Sequence, residues 1–186
     1  MEEQFLDQHL ITGKLSEQRP NSERARQTII VLAVILALDV ISGISSYMQL
    51  ELLEQFNLGY QPSNSELESN DNREMIIGIL AFIMQIVGAI VFIRWFRRAY
   101  YNLSIHTTTQ HSEGWAAGAW FVPILNLFRP YQIMSEMWTF TSSKLEQFSG
   151  NMSNYKKSVV GAWWFLWVVV SLGGGFYSRK HQLQVI

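Results

Sequence analysis

A lone carboxylate, Asp39, stands near the middle of an otherwise uncharged run, "TIIVLAVILALDVISGISSYMQL", Thr28 to Leu50. At the centre of a membrane helix such a residue costs about 2.5–3.5 kcal/mol on the insertion scale, so its presence there asks for a reason. Two chemistries fit it. Asp39 is either a protonatable site on an ion or proton path, or a neutral side chain that hydrogen-bonds a neighbouring helix. The second is worth about 0.6–2 kcal/mol and is the favoured reading. Gln85 lies near the middle of a second apolar run. It would sit at similar depth if the two runs were antiparallel neighbours, and is the expected partner. Arg94, Arg97 and Arg98 fall at i, i+3 and i+4 and so share one helix face. That face could hold a phospholipid headgroup or the Glu136 carboxylate, although a positive stop at the cytoplasmic interface explains it more simply.

Other polar residues say less. Arg129 could pair with Glu136 or cap carbonyls freed near Pro130. His106 and His111 in "HTTTQHSE" are five apart, whereas two metal ligands on one helix face stand at i and i+4, and no third ligand follows. No metal or cofactor is expected. Trp163, Trp164 and Trp167 read as an interfacial belt rather than an aromatic ligand pocket. No G-x-S-x-G, no phosphate loop and no intramembrane His/Ser pair occurs, so the chain reads as a non-enzyme.

The elements that must position these residues follow from charge segregation. Charged residues make up 16 % of the 186-residue chain, well under the roughly 25 % of a soluble protein, and they crowd into a few stretches. The net charge of −1 gives no reason to expect a nucleic-acid partner. There are no cysteines, which excludes disulfides and thiolate metal sites. Residues 1–27 are polar and too charged for a cleavable signal, so the first apolar run is expected to act as a retained insertion signal.

About 20 helical residues cross the hydrocarbon core. Three runs qualify as transmembrane helices, at about 28–50, 75–97 and 159–178. "ELLEQFNLGYQPSNSELESNDNRE" between the first two reads as a solvated, acidic loop. The segment 114–130, "GWAAGAWFVPILNLFRP", is too short to span and carries Pro123 and Pro130, which bias Val122 and Arg129 away from helix. It reads as a re-entrant or interfacial segment. Residues 130–148 then form an amphipathic helix with Met134, Met137, Trp138, Leu145 and Phe148 on its apolar face, lying along the surface. Positive residues favour the cytoplasmic side. If the segment only dips, eleven of the 14 lysines and arginines lie inside, against nine if it crosses, which predicts a cytoplasmic N-terminus and a dip.

Three stretches, "FIRWFRRAYYNL" with Asn102, "GWAAGAWFVPILNLFRPYQIMSEMW" and "AWWFLW", resemble a bacterial membrane-protein family catalogued as domain of unknown function 4328. Trp120, Pro123, Asn126, Leu127, Arg129, Pro130 and Trp138 sit in that family's pattern. The resemblance implies a multi-span protein of the bacterial cell membrane with a further apolar segment after the paired tryptophans. This chain ends instead at "SRKHQLQVI", with 179–186 as a tail, so it reads as a shortened member or an incomplete frame. The expected protein is an all-α integral membrane protein: three transmembrane helices, a proline-broken segment and an amphipathic helix. Its expected role is noncatalytic, binding lipid or a partner protein, or a second copy of itself, through its cytoplasmic face. The alternative is a small transporter or channel subunit with a polar path at Asp39, Gln85 and the broken segment.

Overall fold

The computed structural model describes residues 18–149 and 158–182. Among these the structure is helical, without strands: α1 (Ser22–Asn57), α2 (Asn64–His106), α3 (Trp115–Gly118), α4 (Pro123–Asn126), α5 (Arg129–Ser149) and α6 (Ser158–Gln182). They form two compact units, one of residues 20–95 and one that combines residues 18–19 with the described residues from 96 onward.

The first unit is an antiparallel pair made by α1 and the first part of α2. Between Thr28 and Leu52 the residues removed from solvent are Thr28, Val31, Ile35, Leu38, Ser42, Ser45, Gln49 and Leu52. The alternating three- and four-residue step is the heptad seam of a left-handed helix pair. The facing row on α2, from Asn70 through Ile77, Ala81, Met84 and Gly88 to Val91, keeps the same step. The seam mixes small or polar residues (Thr28, Ser42, Ser45, Gln49, Ala81, Gly88) with Val31, Ile35, Leu38, Ile77, Met84 and Val91, while the outward faces are Ile, Leu, Val and Phe. Leu36 and Phe82, for instance, are 66 % and 68 % exposed. Buried Gly88 lets the helices close, since a Cβ there would lie 2.5 Å from Ile35 Cδ1.

Hydrogen bonds fix the register at both ends. Thr28 Oγ1 shares its one proton between the carbonyls of Arg24 (2.8 Å) and Val91 (3.3 Å), and Arg24 Nη1 donates to the Arg94 carbonyl (3.1 Å). At the other end buried Ser45 donates to Glu74 and accepts from Arg73 Nε (2.9 Å), whose Nη2 donates to Asn70 Oδ1 (2.7 Å). This register corrects the expected Asp39–Gln85 bond. Each residue stands one position beyond a seam residue, Leu38 and Met84, so both point outward, exposed, and they share no hydrogen bond.

The expected acidic loop is mostly helix. Its chain reversal needs only residues 58–63, because both ends are capped. Gly59, at φ +96°, closes α1 in a Schellman turn, with Tyr60 N–H on the Gln55 carbonyl (3.0 Å) and Gly59 N–H on the Phe56 carbonyl (3.0 Å). A capping box opens α2: Ser63 N–H donates to Glu66 Oε2 (2.7 Å) and Glu66 N–H to Ser63 Oγ (3.3 Å). Those bonds hold the Glu66 carboxyl below its ordinary range.

Among the described residues two helices, α1 and α2, are long and apolar enough to cross a membrane by length and composition, where three were expected. The described apolar stretch of α6 is Ser158–Ser171, shorter than a span needs, although the helix itself runs on through Gly173, Gly174 and Gly175.

Candidate functional site

The second unit is built on α5. Its buried row is Pro130, Ile133 and Met137, with Ser135 beside it, packed with Phe96, Tyr100, Leu103 and Ile105 of α2 in the same core. Part of the expected apolar face of α5 is therefore misplaced. Met137 is buried and Met134 and Trp138 half-buried, whereas Leu145 and Phe148 are exposed. The helix also starts at Arg129, ahead of Pro130. A proline in the first turn needs no N–H, and this overrides its bias on the residue before it.

The broken segment is broken where expected. Val122, at φ −101° and ψ 111°, is extended between α3 and α4. Part of its backbone is served by tight turns, such as Ala116 N–H to the Glu113 carbonyl (3.2 Å) and Leu127 N–H to the Ile124 carbonyl (3.2 Å). Trp164 Nε1 adds a bond to the Leu127 carbonyl (3.1 Å). This side chain is buried, stacks on Trp167 at 4.7 Å between centroids, and meets Trp120 edge-on at 6.2 Å. The expected interfacial belt is thus corrected for Trp164, which is a core residue that holds the broken segment.

Beside α5 lies a network that the sequence did not disclose. Tyr100 Oη donates to Glu136 Oε2 (2.8 Å) and accepts from His111 N–H (3.1 Å), while Gln110 N–H donates to Glu136 Oε1 (3.0 Å). Burial, then the bond to Glu136, push the Tyr100 phenol up to about 12. Through these bonds the group latches the 107–114 loop to α5. Arg129 Nη1 donates to His111 Nδ1 (2.7 Å) and its guanidinium stands 5.6 Å from the Trp115 ring centroid.

These contacts reassign the arginines. Glu136 takes Tyr100 and Gln110 as partners, neither Arg129 nor the Arg94, Arg97 and Arg98 face. Arg97 pairs with Glu113 at 2.8 Å on the surface. Arg94 is exposed and Arg98 half-buried. Asn102 ties the chain before α1, donating to the Arg19 carbonyl (2.8 Å) and accepting its N–H (3.1 Å), while the Arg19 guanidinium covers the Tyr101 ring at 4.1 Å. His106 stacks on Phe140. The buried Asn126 Oδ1 and Arg129 Nε have no hydrogen-bond partner among the described residues.

A groove of about 570 Å³ opens along α5 next to the latch, lined by Thr107, Thr108, Gln132, Glu136, Thr139 and Ser143 among others. Its size suits a small ligand or a headgroup.

The family model described as Domain of unknown function (DUF4328) matches residues 59–183, more than half of the chain. The chain belongs to that family. The DUF4328 match takes in α2 through α6, and with them the latch, the broken segment and the groove, and leaves out α1. No curated protein and no solved structure matches the chain. Of the residues that carry the DUF4328 resemblance, Trp120 and Leu127 meet at Trp164, and Arg129 reaches the latch through His111. Tyr100, Gln110 and Trp164 are what the sequence reading missed. Tyr100 and Trp164 lie inside two of the resembling stretches, which was the available signal; Gln110 acts through its backbone and left none.

Proposed function

We propose that this protein is a noncatalytic, multi-pass membrane protein of the bacterial cell envelope, with its N-terminus in the cytoplasm. It binds lipid or a partner protein through the α5 face. The observation that carries the reading is the polar groove along α5, beside the Tyr100–Glu136 latch. The outward apolar faces of α1 and α2 support a bilayer environment. Only 17 % and 6 % of their apolar windows are buried, too little for core helices of a soluble protein. The broken segment dips from the cytoplasmic side, with Phe121 and Ile124, 76 % and 74 % exposed, turned to lipid. The tight turns that serve part of its backbone favour that placement. The transport reading draws no such support from the α5 groove, which Asp39, Gln85 and Asn126 do not line.

The test is a photo-crosslinking residue at Gln132 or Thr108 in the membrane-expressed protein. Discrete adducts are expected there and not from the same residue at Asn64. Absence of any adduct from either groove position refutes the binding surface. Proteoliposome flux with and without Asp39→Asn is expected to match empty liposomes, and flux above that level would restore transport.

A further inference from the structure

Two hydroxyls of the groove, those of Thr139 and Ser143, already spend their protons on backbone carbonyls. Thr139 Oγ1 donates its proton to the Ser135 carbonyl at 2.8 Å, and Ser143 Oγ donates to the Phe140 carbonyl at 2.8 Å. A hydroxyl has one proton, so each oxygen has only lone pairs left for a ligand. Glu136, a carboxylate, is also an acceptor, held in place by Tyr100 and Gln110. Residues 136, 139 and 143 stand at i, i+3 and i+7, on one stripe of α5. The stripe is about 10 Å long at 1.5 Å per residue. No lysine or arginine lines the groove. Lys144 lies next in sequence to Ser143, with its ammonium 5.8 Å from the Phe140 ring centroid.

We infer that the groove binds primary ammonium compounds, whose N–H donors are met by the acceptor stripe Glu136, Thr139 and Ser143. The inference rests on the binding-surface reading above and narrows its ligand. An anion would face the Glu136 carboxylate with no compensating charge, which argues against a phosphate as the recognised group. A quaternary ammonium carries the same charge without N–H donors and would leave the stripe unanswered. The ammonium could belong to a free amine or to an aminophospholipid headgroup, and the same chemistry recognises both.

The test uses the full chain in nanodiscs made only of phosphatidylcholine, which has no primary amine. Titration calorimetry with 1,4-diaminobutane is expected to show binding, and its permethylated analogue to bind at least about tenfold more weakly. Thr139→Val and Ser143→Ala each remove one acceptor at a helix position that folding tolerates, and each is expected to weaken binding by about threefold or more. Glu136→Gln is expected to abolish binding, with a cooperative thermal transition retained as the check on folding. A second arm adds phosphatidylethanolamine. Selective retention of that lipid in native mass spectrometry, with loss of diamine binding, assigns the site to a headgroup; undiminished diamine binding assigns it to a free amine. Equal affinity for the permethylated diamine overturns the inference, as does affinity unmoved by both hydroxyl substitutions. If neither amine source binds while crosslinks still form at Gln132, this inference falls and the binding surface stands. If no crosslinks form either, both fall.

Discussion

Tyr100 is the residue on which the second unit turns. Its hydroxyl is shared between Glu136 and the His111 N–H, and the ring is fully buried. Tyr100→Phe would leave a carboxylate oxygen and a backbone N–H without that partner, at a cost of about 1–3 kcal/mol. Thermal denaturation in detergent is expected to register this as a lower Tm. The same bond sets a pH window. The folded phenol ionises near 12, above its ordinary value of 10.0, so its stabilising contribution is complete below pH 10 and is lost as pH rises to 12. Phenolate absorbance at 295 nm should show one late component that Tyr100→Phe removes. Loss of an early component instead would place Tyr100 in water. Asp39 is the opposite case. Off the seam and exposed, it bonds no helix among the described residues. Asp39→Leu is expected to leave folding intact and to recover up to about 2.5–3.5 kcal/mol of insertion cost. Failure to assemble in a glycosylation-reporter or detergent-stability assay would contradict this.

At the scale of elements, two small motifs decide where helices stop. Gly59 needs its positive φ, so Gly59→Ala is expected to destabilise the turn by about 1–2 kcal/mol. Glu66, held below its ordinary range by the Ser63 bonds, contributes stability above that range and loses it as pH falls through its folded value. Glu66→Gln should flatten this acid dependence, measured as Tm against pH. Both signals were legible in "FNLGYQPSNSE", but a polar, Ser/Asn-rich composition suggested loop, and capping overrode it. The close approach at Gly88 belongs to the same scale. A methyl there meets only the tip of a flexible Ile35 side chain, so Gly88→Ala is expected to be mild. Gly88→Leu would overpack the seam by about 1–3 kcal/mol, separating the pair in a stability assay.

For the whole molecule, the absence of cysteine offers a clean background for topology. Single cysteines at Ser22 and Thr108 are expected to be protected from an impermeant maleimide in intact cells, and one at Gln61 to react; labelling of Thr108 from outside would reverse the placement of the DUF4328 region. The sequence by itself determined the helical class, the two long apolar helices, the break at Pro123 and the amphipathic α5, because each depends on local rules of hydropathy, length and ring geometry. It also carried the family, through Trp120, Pro123, Arg129 and their neighbours. Only the tertiary structure decided which faces meet. Apolar residues run all round α1, and Thr28, Ser42 and Ser45 joined Val31, Ile35 and Leu38 at the contact while Leu36 and Val40 stayed exposed. Likewise Glu136 had several arginines within plausible reach and took a phenol and a backbone amide instead. Partner choice depends on the rotation of one helix against another, and a shift of one residue, as from Leu38 to Asp39, turns a contact into an exposed side chain.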